Sequence, residues 1–312
     1  MTKIFTIAPT GYHSPGLFDS FTEVFKNNGY SFTGDINEAT GVFYDLHSGL
    51  FDYDFDIVNK VIEKKLPVVA FDQFDYFSGG GYSDTFFERC VASADKHWAI
   101  ILKMFTGNDL LKVYFMRKMS KTVKYPSNFY PLELYQFPGC DFPPTTKEEL
   151  FSRPVDITFI GNTATPRKNI CEGLEKHFKC DFVLGQPRLE HEDWLNRHRQ
   201  SKLFIECGGG GESSGGFNSE RSYQLITISP MLKTRDEQLI LNDWEEDVDC
   251  LRAGDELGII SEADIAKLGT VLSEPDTLYS IYLKGIEKMH KYFNPTYRAN
   301  YVLVTLKQNN VV

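Results

Sequence analysis

The stretch RSYQLITISPMLKT (Arg221–Thr234) follows a run of glycines, GGGGESSGG (Gly208–Gly216). The order predicts a glycine loop, then a short helix, then a buried strand ending near Lys233. Glycine N–H groups and the positive end of a helix together suit a diphosphate. Arg221 in the first helical turn opposes the helix dipole unless an anion lies nearby, and Gln224 follows on the same face. We therefore predict a nucleotide-binding site whose residues are Gly209, Gly210, Gly211, Arg221 and Gln224.

A second segment, Gly161-Asn-Thr-Ala-Thr-Pro-Arg-Lys168, has the same character. It follows a predicted strand at 156–160, and Arg167 and Lys168 stand where the next helix starts, which again suits a diphosphate. Taken alone, either segment is also compatible with an exposed surface loop. Because two such loops fall in one half of the chain, we predict Gly161, Arg167 and Lys168 as further anion-binding residues.

Strands and helices alternate in both halves of the chain. Strands are predicted at 4–8, 41–46, 68–71, 156–160, 180–184, 203–207 and 230–233, and helices at 17–28, 57–65, 170–178, 192–201, 261–272 and 275–292. Residues 86–119 are predicted to be largely helical, and the proline-rich 141–154 to be a linker. The fold class is therefore α/β, with two Rossmann-like domains facing a central cleft, at 1–148 and 149–285.

A carboxylate of the N-terminal half stands where a general base could act. Asp72 directly follows the predicted strand 68–71, which places it at the carboxyl edge of the sheet. We predict Asp72 as the catalytic base, ahead of the weaker candidates, which are His13, Asp19, Asp45, His47 and Asp75.

Composition restricts the classes of partner and cofactor. The net charge of −10 argues against nucleic acid as a partner, although Arg117, Lys118, Lys121 and Lys124 form a basic patch that leaves it open. Six cysteines without C-x-x-C spacing predict free thiols and no zinc, and no cofactor is expected. The D-x-D patterns at 52–56 and 247–249 are the remaining metal candidates, but we expect no metal site. No signal peptide or membrane span is apparent, so a cytoplasmic location is expected.

Arg221 to Thr234 also resembles a known sequence block, R-x-[FYW]-E-(x)4-[GS]-x-x-L-x-T, of two-domain GT-B glycosyltransferases. The chain resembles the spore-maturation-type and group 1 glycosyltransferases and, more distantly, the phage DNA β-glucosyltransferases. The specific likeness covers residues 156–240 and reaches the first half only through topology. It implies that Arg221 and Arg167 contact the donor diphosphate and Gln224 the ribose. One residue departs from the pattern, because Gln224 stands where the family has glutamate.

The resemblance implies a metal-independent hexosyltransferase that moves a sugar from a nucleoside diphosphate sugar, expected to be a UDP-sugar, to a hydroxyl acceptor such as a glycan. It also implies that a C-terminal helix, about 286–312, crosses back onto the first domain, with a bend at Asn294-Pro295. Two alternatives stay open. One is a phage-type enzyme acting on modified DNA, and the other is a non-catalytic nucleotide-sugar binding protein, which the departure at Gln224 favours.

Overall fold

A computed structural model describes most of the chain. The described residues are 2–7, 19–46, 53–72, 97–116, 119, 125–132, 143–161, 163, 165–185, 189–207, 225–235, 244–255, 257–292 and 295–311. The chain forms two compact units, one made of 1–136 with 294–312 and the other of 137–293. The sequence-based prediction places the corresponding divisions at 148 and about 286.

The first unit is built on a parallel sheet. Its described strands, in the order β2-β1-β3-β4-β5-β6, are β1 (Thr2–Ile7), β2 (Tyr30–Thr33), β3 (Gly41–Leu46), β4 (Val68–Asp72), β5 (Leu111–Met116) and β6 (Phe129–Pro131). Its described helices are α1 (Asp19–Asn27), α2 (Phe55–Glu63), α3 (His97–Gly107) and the C-terminal helix, named α9 below (Pro295–Gln308).

Both faces of this sheet are covered by apolar side chains. Successive strand residues point to opposite faces, so Tyr44 and Ala70 pack with α2 and α3, whereas Phe43 and Phe71 pack with α1 and α9. A sheet buried on both sides explains why its central strands are continuous apolar runs.

The second unit contains another parallel sheet. Its described strands, in the order β11-β10-β9-β7-β8, are β7 (Val155–Gly161), β8 (Cys180–Leu184), β9 (Ser201–Glu206), β10 (Met231–Lys233) and β11 (Leu251–Arg252). The described helices are α4 (Lys147–Ser152), α5 (Thr165–Leu174), α6 (His191–Arg199), α7 (Glu262–Ser273) and α8 (Pro275–Tyr292). One face packs on α5 and α7, and the other packs on α6 and the buried segment that follows Gln224.

The prediction of helix over 86–119 is wrong for its second part. Leu111–Met116 is strand β5, paired in parallel with β4 and β6. Asp109 has a φ of 56°, a left-handed conformation that separates helix α3 from the strand. The strand is buried on both faces, so its apolar run lacks alternation and resembles a buried helix in sequence.

Two further boundaries differ from the sequence-based ones. Helix α4 lies inside the segment predicted as linker, with Thr146 as its N-cap. Helix α5 begins at Thr165, so Arg167 and Lys168 lie in its first turn. Within the described residues, no helix is both long and apolar enough to cross a bilayer.

Candidate functional site

The two predicted anion-binding segments leave the second sheet at the same edge. Strand β7 ends at Gly161 and its neighbour β9 ends at Glu206, with the glycine run beginning two residues later in the sequence. In open parallel sheets the carboxyl ends of the strands form the edge at which ligands bind. Segments separated by about 40 residues in sequence therefore start from one place.

Arg167 connects these two segments directly. Its Nε donates a hydrogen bond of 3.2 Å to the carbonyl oxygen of Cys207, the last residue before the glycine run. Its guanidinium carbon lies 5.7 Å from the centre of the Phe159 ring, within cation–π range. A cation in the first turn of a helix opposes the dipole, and the carbonyl and the ring both compensate it. The orientation of the guanidinium is therefore fixed from two sides.

Gly161 packs against the same aromatic ring. A Cβ atom at this position would lie 2.7 Å from Cζ of Phe159, closer than side chains tolerate. The carbonyl of Gly161 accepts a hydrogen bond of 3.0 Å from the N–H of Gly185, just past the end of β8. Glycine at position 161 therefore leaves room for the Phe159 ring that contacts Arg167. Any contact of Gly161 with a ligand stays a prediction.

Lys168 lies apart from the contacts of Arg167. Its Nζ is 3.5 Å from a carboxylate oxygen of Glu172, one turn along α5, and both side chains are more than half exposed. Exposed pairs of this spacing contribute only about 0.3–0.5 kcal/mol. Lys168 is therefore available to solvent at the start of α5, and its role in anion binding stays a prediction.

The remaining predicted donor residues fall outside the described part of the chain. These are Gly209, Gly210, Gly211, Arg221 and Gln224. The structure instead describes both flanks of this segment, Cys207 before it and residues 225–235 after it.

The downstream flank is held by a buried arginine that the sequence analysis did not identify. Arg153 Nη1 donates to the carbonyls of Ser201 and Ile228, both at 2.9 Å, and to Oγ of Ser229 at 2.8 Å. Its Nη2 donates to Oγ1 of Thr145 at 2.9 Å. Burial lowers the pKa of Arg153. The only sequence signal for Arg153 is its place directly before Pro154, inside the segment 141–154 that is predicted to be a linker.

Three charged residues that the sequence analysis did not identify lie side by side at the carboxyl edge of the second sheet. Glu206, Lys233 and Arg252 end β9, β10 and β11, and the strand register sets Lys233 beside both of the others. All three are at least 90% buried, with exposed fractions of 6%, 2% and 9%. Buried charged groups are uncommon outside functional sites and ion-pair networks. In the sequence, each of these residues is a charged side chain at the end of a largely apolar strand.

Asp72 is the last residue of β4 and is fully buried. The hydroxyl of Tyr114, on the neighbouring strand β5, donates to Oδ2 of Asp72 at 3.2 Å. Among the weaker candidates, Asp45 is buried near the end of β3 and Asp19 begins α1. The other candidates, His13, His47 and Asp75, lie outside the described residues.

Three described carboxylates of the D-x-D patterns, those of Asp54, Asp247 and Asp249, have structural partners. Asp54 caps α2 by accepting from the N–H groups of Asp56 and Ile57. Asp247 pairs with Lys267, and Asp249 pairs with Lys288, each at 2.7 Å. Within the described residues, no group of three or more potential ligands could hold a metal ion.

Cys207, which follows the end of β9, and Cys250, which precedes the start of β11, are unreactive thiols. Burial raises the pKa of Cys207 to about 11, and burial does the same for Cys250. Both are therefore protonated at neutral pH and are poor nucleophiles.

No family model matches the chain, and no curated protein matches it. Solved structures do match over nearly its whole length. An alpha-glucosyltransferase in complex with UDP and a 13-mer DNA containing a HMU base matches with a TM-score of 0.57 and 10% identity, covering 98% of this chain and 99% of that one. The Anabaena protein Alr3699/HepE, in complex with UDP and glucose, matches with a TM-score of 0.52 and 6% identity, covering 99% and 100%. The chain has the GT-B fold.

The predicted α/β class with two Rossmann-like domains is thereby confirmed. The GT-B assignment also agrees with the return of the chain to its first unit, where α9 packs through Ala299, Val302, Leu303 and Leu306. At 6–10% identity, the likeness concerns the fold.

Proposed function

We propose that the protein is a glycosyltransferase that moves a hexose from a UDP-sugar to a hydroxyl acceptor. The observation that carries the proposal is the bond from Arg167 to the carbonyl of Cys207, at the carboxyl edge of a parallel sheet in a GT-B fold. It joins the two segments whose composition suits a diphosphate. UDP appears in both of the solved structures described above, which supports UDP as the nucleotide.

Arg167, with Lys168 and Arg221, would offset the negative charge that develops on the departing diphosphate. Positive groups aimed at developing charge lower the barrier most when they are fixed in advance. Two contacts of Arg167 hold its guanidinium in one orientation.

The glycine run and Gln224 would bind the remainder of the donor. Backbone N–H groups of Gly209, Gly210 and Gly211 can approach phosphate oxygens without side-chain interference. The amide of Gln224 can hydrogen-bond a ribose hydroxyl as donor or acceptor.

Asp72 would act as general base if the reaction inverts the anomeric centre. A carboxylate at the end of a strand can receive the acceptor's hydroxyl proton. The hydrogen bond from Tyr114 orients one carboxylate oxygen of Asp72.

We include metal independence and a cytoplasmic location in the proposal. Asp54 caps a helix N-terminus, and Asp247 and Asp249 each pair with a lysine, which supports chemistry without a metal. Cys171, Cys180, Cys207 and Cys250 are free thiols, which suits a reducing compartment.

The first test measures binding of UDP by calorimetry, with GDP, dTDP, CMP and ADP for comparison, each with and without EDTA. We expect UDP to bind and EDTA to have no effect. Arg167→Ala should weaken UDP binding by about ten- to a hundredfold, since one charge-assisted hydrogen bond contributes about 1.5–3 kcal/mol. Arg199→Ala is the matched control, because Arg199 pairs with Glu192 at the surface of α6. Absence of binding by any nucleotide would contradict the proposal, and loss of binding in EDTA would favour a metal at a D-x-D pattern.

DNA is a second candidate acceptor. One solved structure that covers 98% of this chain contains DNA with a HMU base, whereas the net charge of −10 disfavours a polyanion. Incubation with UDP-[14C]glucose and duplexes with or without a HMU base distinguishes DNA from other hydroxyl acceptors. Label transferred only to HMU-containing DNA, with turnover that falls steeply with salt, would establish DNA as the acceptor.

A non-catalytic binding protein would differ in turnover. Asp72→Asn should lower turnover by about 10²–10⁴-fold while UDP still binds, if Asp72 is the base. A protein that binds UDP-sugar and neither transfers nor hydrolyses it would be a binding module.

A further inference from the structure

We propose that a turn in the second unit positions Arg167 and thereby sets the affinity for the donor diphosphate. The turn consists of the described residues 254, 255 and 257–260, and it is called the 254–260 turn below. It packs along α5, whose first turn carries Arg167. The inference deepens the proposed function and rests on it.

The backbone of the turn lies against the backbone of α5 with no space for a side chain. Gly258 has a φ of 76°, and a Cβ atom there would lie 2.1 Å from the carbonyl oxygen of Pro166. Pro166 directly precedes Arg167 in the first turn of α5. Only glycine combines this conformation with this approach.

Two more contacts extend the same interface along α5. Nδ2 of Asn169 donates to the carbonyl of Leu257 at 2.9 Å. A Cβ atom at Gly173 would lie 3.2 Å from the side chain of Ile260. Positions 166, 169 and 173 are spaced by three and four residues and therefore share one face of the helix. The turn consequently fixes the position of α5 along its helix axis and its rotation about that axis.

The turn is itself rigid. The carboxylate oxygen Oδ1 of Asp255 accepts from the N–H groups of Leu257 and Ile259, both at 2.9 Å. Its start is anchored by Asp264, whose Oδ2 accepts from the N–H of Gly254 at 3.2 Å. Asp264 also receives a hydrogen bond of 2.6 Å from Arg235. Hydrogen bonds thus connect Arg235 through Asp264 and the turn to Asn169 of α5, and Gly258 packs on the first turn of that helix.

The position of α5 decides whether Arg167 meets its acceptor. The distance from Nε of Arg167 to the carbonyl of Cys207 is 3.2 Å, near the upper end for an N–H···O bond. A displacement of α5 by about 1 Å would break this bond and change the direction of the guanidinium. The binding of a diphosphate is sensitive to such a change in direction, because its oxygens have a fixed spacing.

The experiment compares Gly258→Ala with Gly269→Ala. Gly269 lies in α7 with nothing within 4 Å of an added Cβ atom, so it is a matched glycine control. Calorimetry with UDP should give a Kd about ten- to a hundredfold higher for Gly258→Ala and an unchanged Kd for Gly269→Ala. The KM for the acceptor, measured at saturating UDP-glucose, should stay unchanged in Gly258→Ala, whereas the KM for UDP-glucose, measured at a fixed acceptor concentration, should rise.

A double-mutant cycle tests whether the effect passes through Arg167. In an Arg167→Ala background, Gly258→Ala should weaken UDP binding by less than about twofold more, because the group it positions is gone. A merely structural role for Gly258 predicts additive losses instead, and additivity would overturn the inference.

Asn169→Ala covers the case in which Gly258→Ala does not fold. It removes one exposed hydrogen bond to the turn, and we expect the Kd for UDP to rise about three- to tenfold. Wild-type affinity in folded Asn169→Ala and Gly258→Ala proteins would refute the positioning role while leaving the proposed function intact. Failure of the wild-type protein to bind UDP would contradict the proposed function itself.

Discussion

The buried arginine at the start of the second unit permits a quantitative prediction. Arg153 donates four hydrogen bonds, to the carbonyls of Ser201 and Ile228 and to the hydroxyls of Ser229 and Thr145. Replacing it with methionine keeps an unbranched apolar stem and removes every one of these donors. The variant Arg153→Met therefore measures the contribution of the guanidinium group to stability.

The expected loss is smaller than the sum of the four bonds. At about 1.5–3 kcal/mol for each bond from a charged donor, the sum would be about 6–12 kcal/mol. Two acceptors retain other donors, however, since Thr145 Oγ1 donates to Ile228 at 2.9 Å and Ser229 Oγ donates to Ser201 at 3.0 Å. The protein also no longer desolvates a charge. We expect a loss of about 2–4 kcal/mol.

Thermal and urea unfolding, followed by calorimetry and circular dichroism, would measure this change. A loss of that size lowers the midpoint of the affected transition by about 5–15 °C for a unit of this length. Arg199→Met is the control, because Arg199 forms an exposed ion pair and should change stability by less than about 1 kcal/mol. A change below about 0.5 kcal/mol for Arg153→Met would show that desolvation of the guanidinium cancels its hydrogen bonds, and the reasoning would be wrong.

Three further predictions concern acid stability, catalysis and a helix cap. Burial alone would raise the pKa of Asp264, but bonds from Arg235, Ser261 and Gly254 outweigh it and hold the pKa well below the ordinary value. This stabilisation is complete above the unfolded pKa of about 3.9 and is lost as pH falls through the lower folded value, so Asp264→Asn should flatten the acid limb of stability against pH. Tyr114→Phe, which removes the bond to Asp72, should raise the pH at which turnover is half-maximal if Asp72 is the base, as pH–rate profiles would show. Asp54→Ala should lower the unfolding free energy of the protein by about 0.5–2 kcal/mol in urea titrations, with no effect on UDP binding.

The sequence predicted best those elements whose ends carry strong local signals. Strand β3 and helix α8 have the predicted bounds, the helix starting at Pro275 and the strand at Gly41. Such ends depend on the local backbone, so sequence alone can identify them. Strand β5 was mistaken for helix because burial on both faces removes the alternation that distinguishes a strand.

The contacts of the candidate site were beyond sequence reasoning for a different reason. Composition identified Arg167 as a cation at a helix start, but its acceptor at Cys207 depends on β7 and β9 being neighbours in the sheet. The same holds for the row of Glu206, Lys233 and Arg252, which exists only through the register of three strands. Pairings across such sequence distances carry no local signal.

The described residues on either side of the glycine run share one design. Upstream, the carbonyl of Cys207 is held by Arg167, and α5 is in turn held by the 254–260 turn. Downstream, the carbonyl of Ile228 and the hydroxyl of Ser229 are held by Arg153. A loop rich in glycine loses much conformational entropy when it binds a ligand, and fixing both of its ends reduces that loss. Substitutions at Arg153 or in the 254–260 turn should therefore raise the Kd for UDP, although neither the arginine nor the turn need contact the nucleotide.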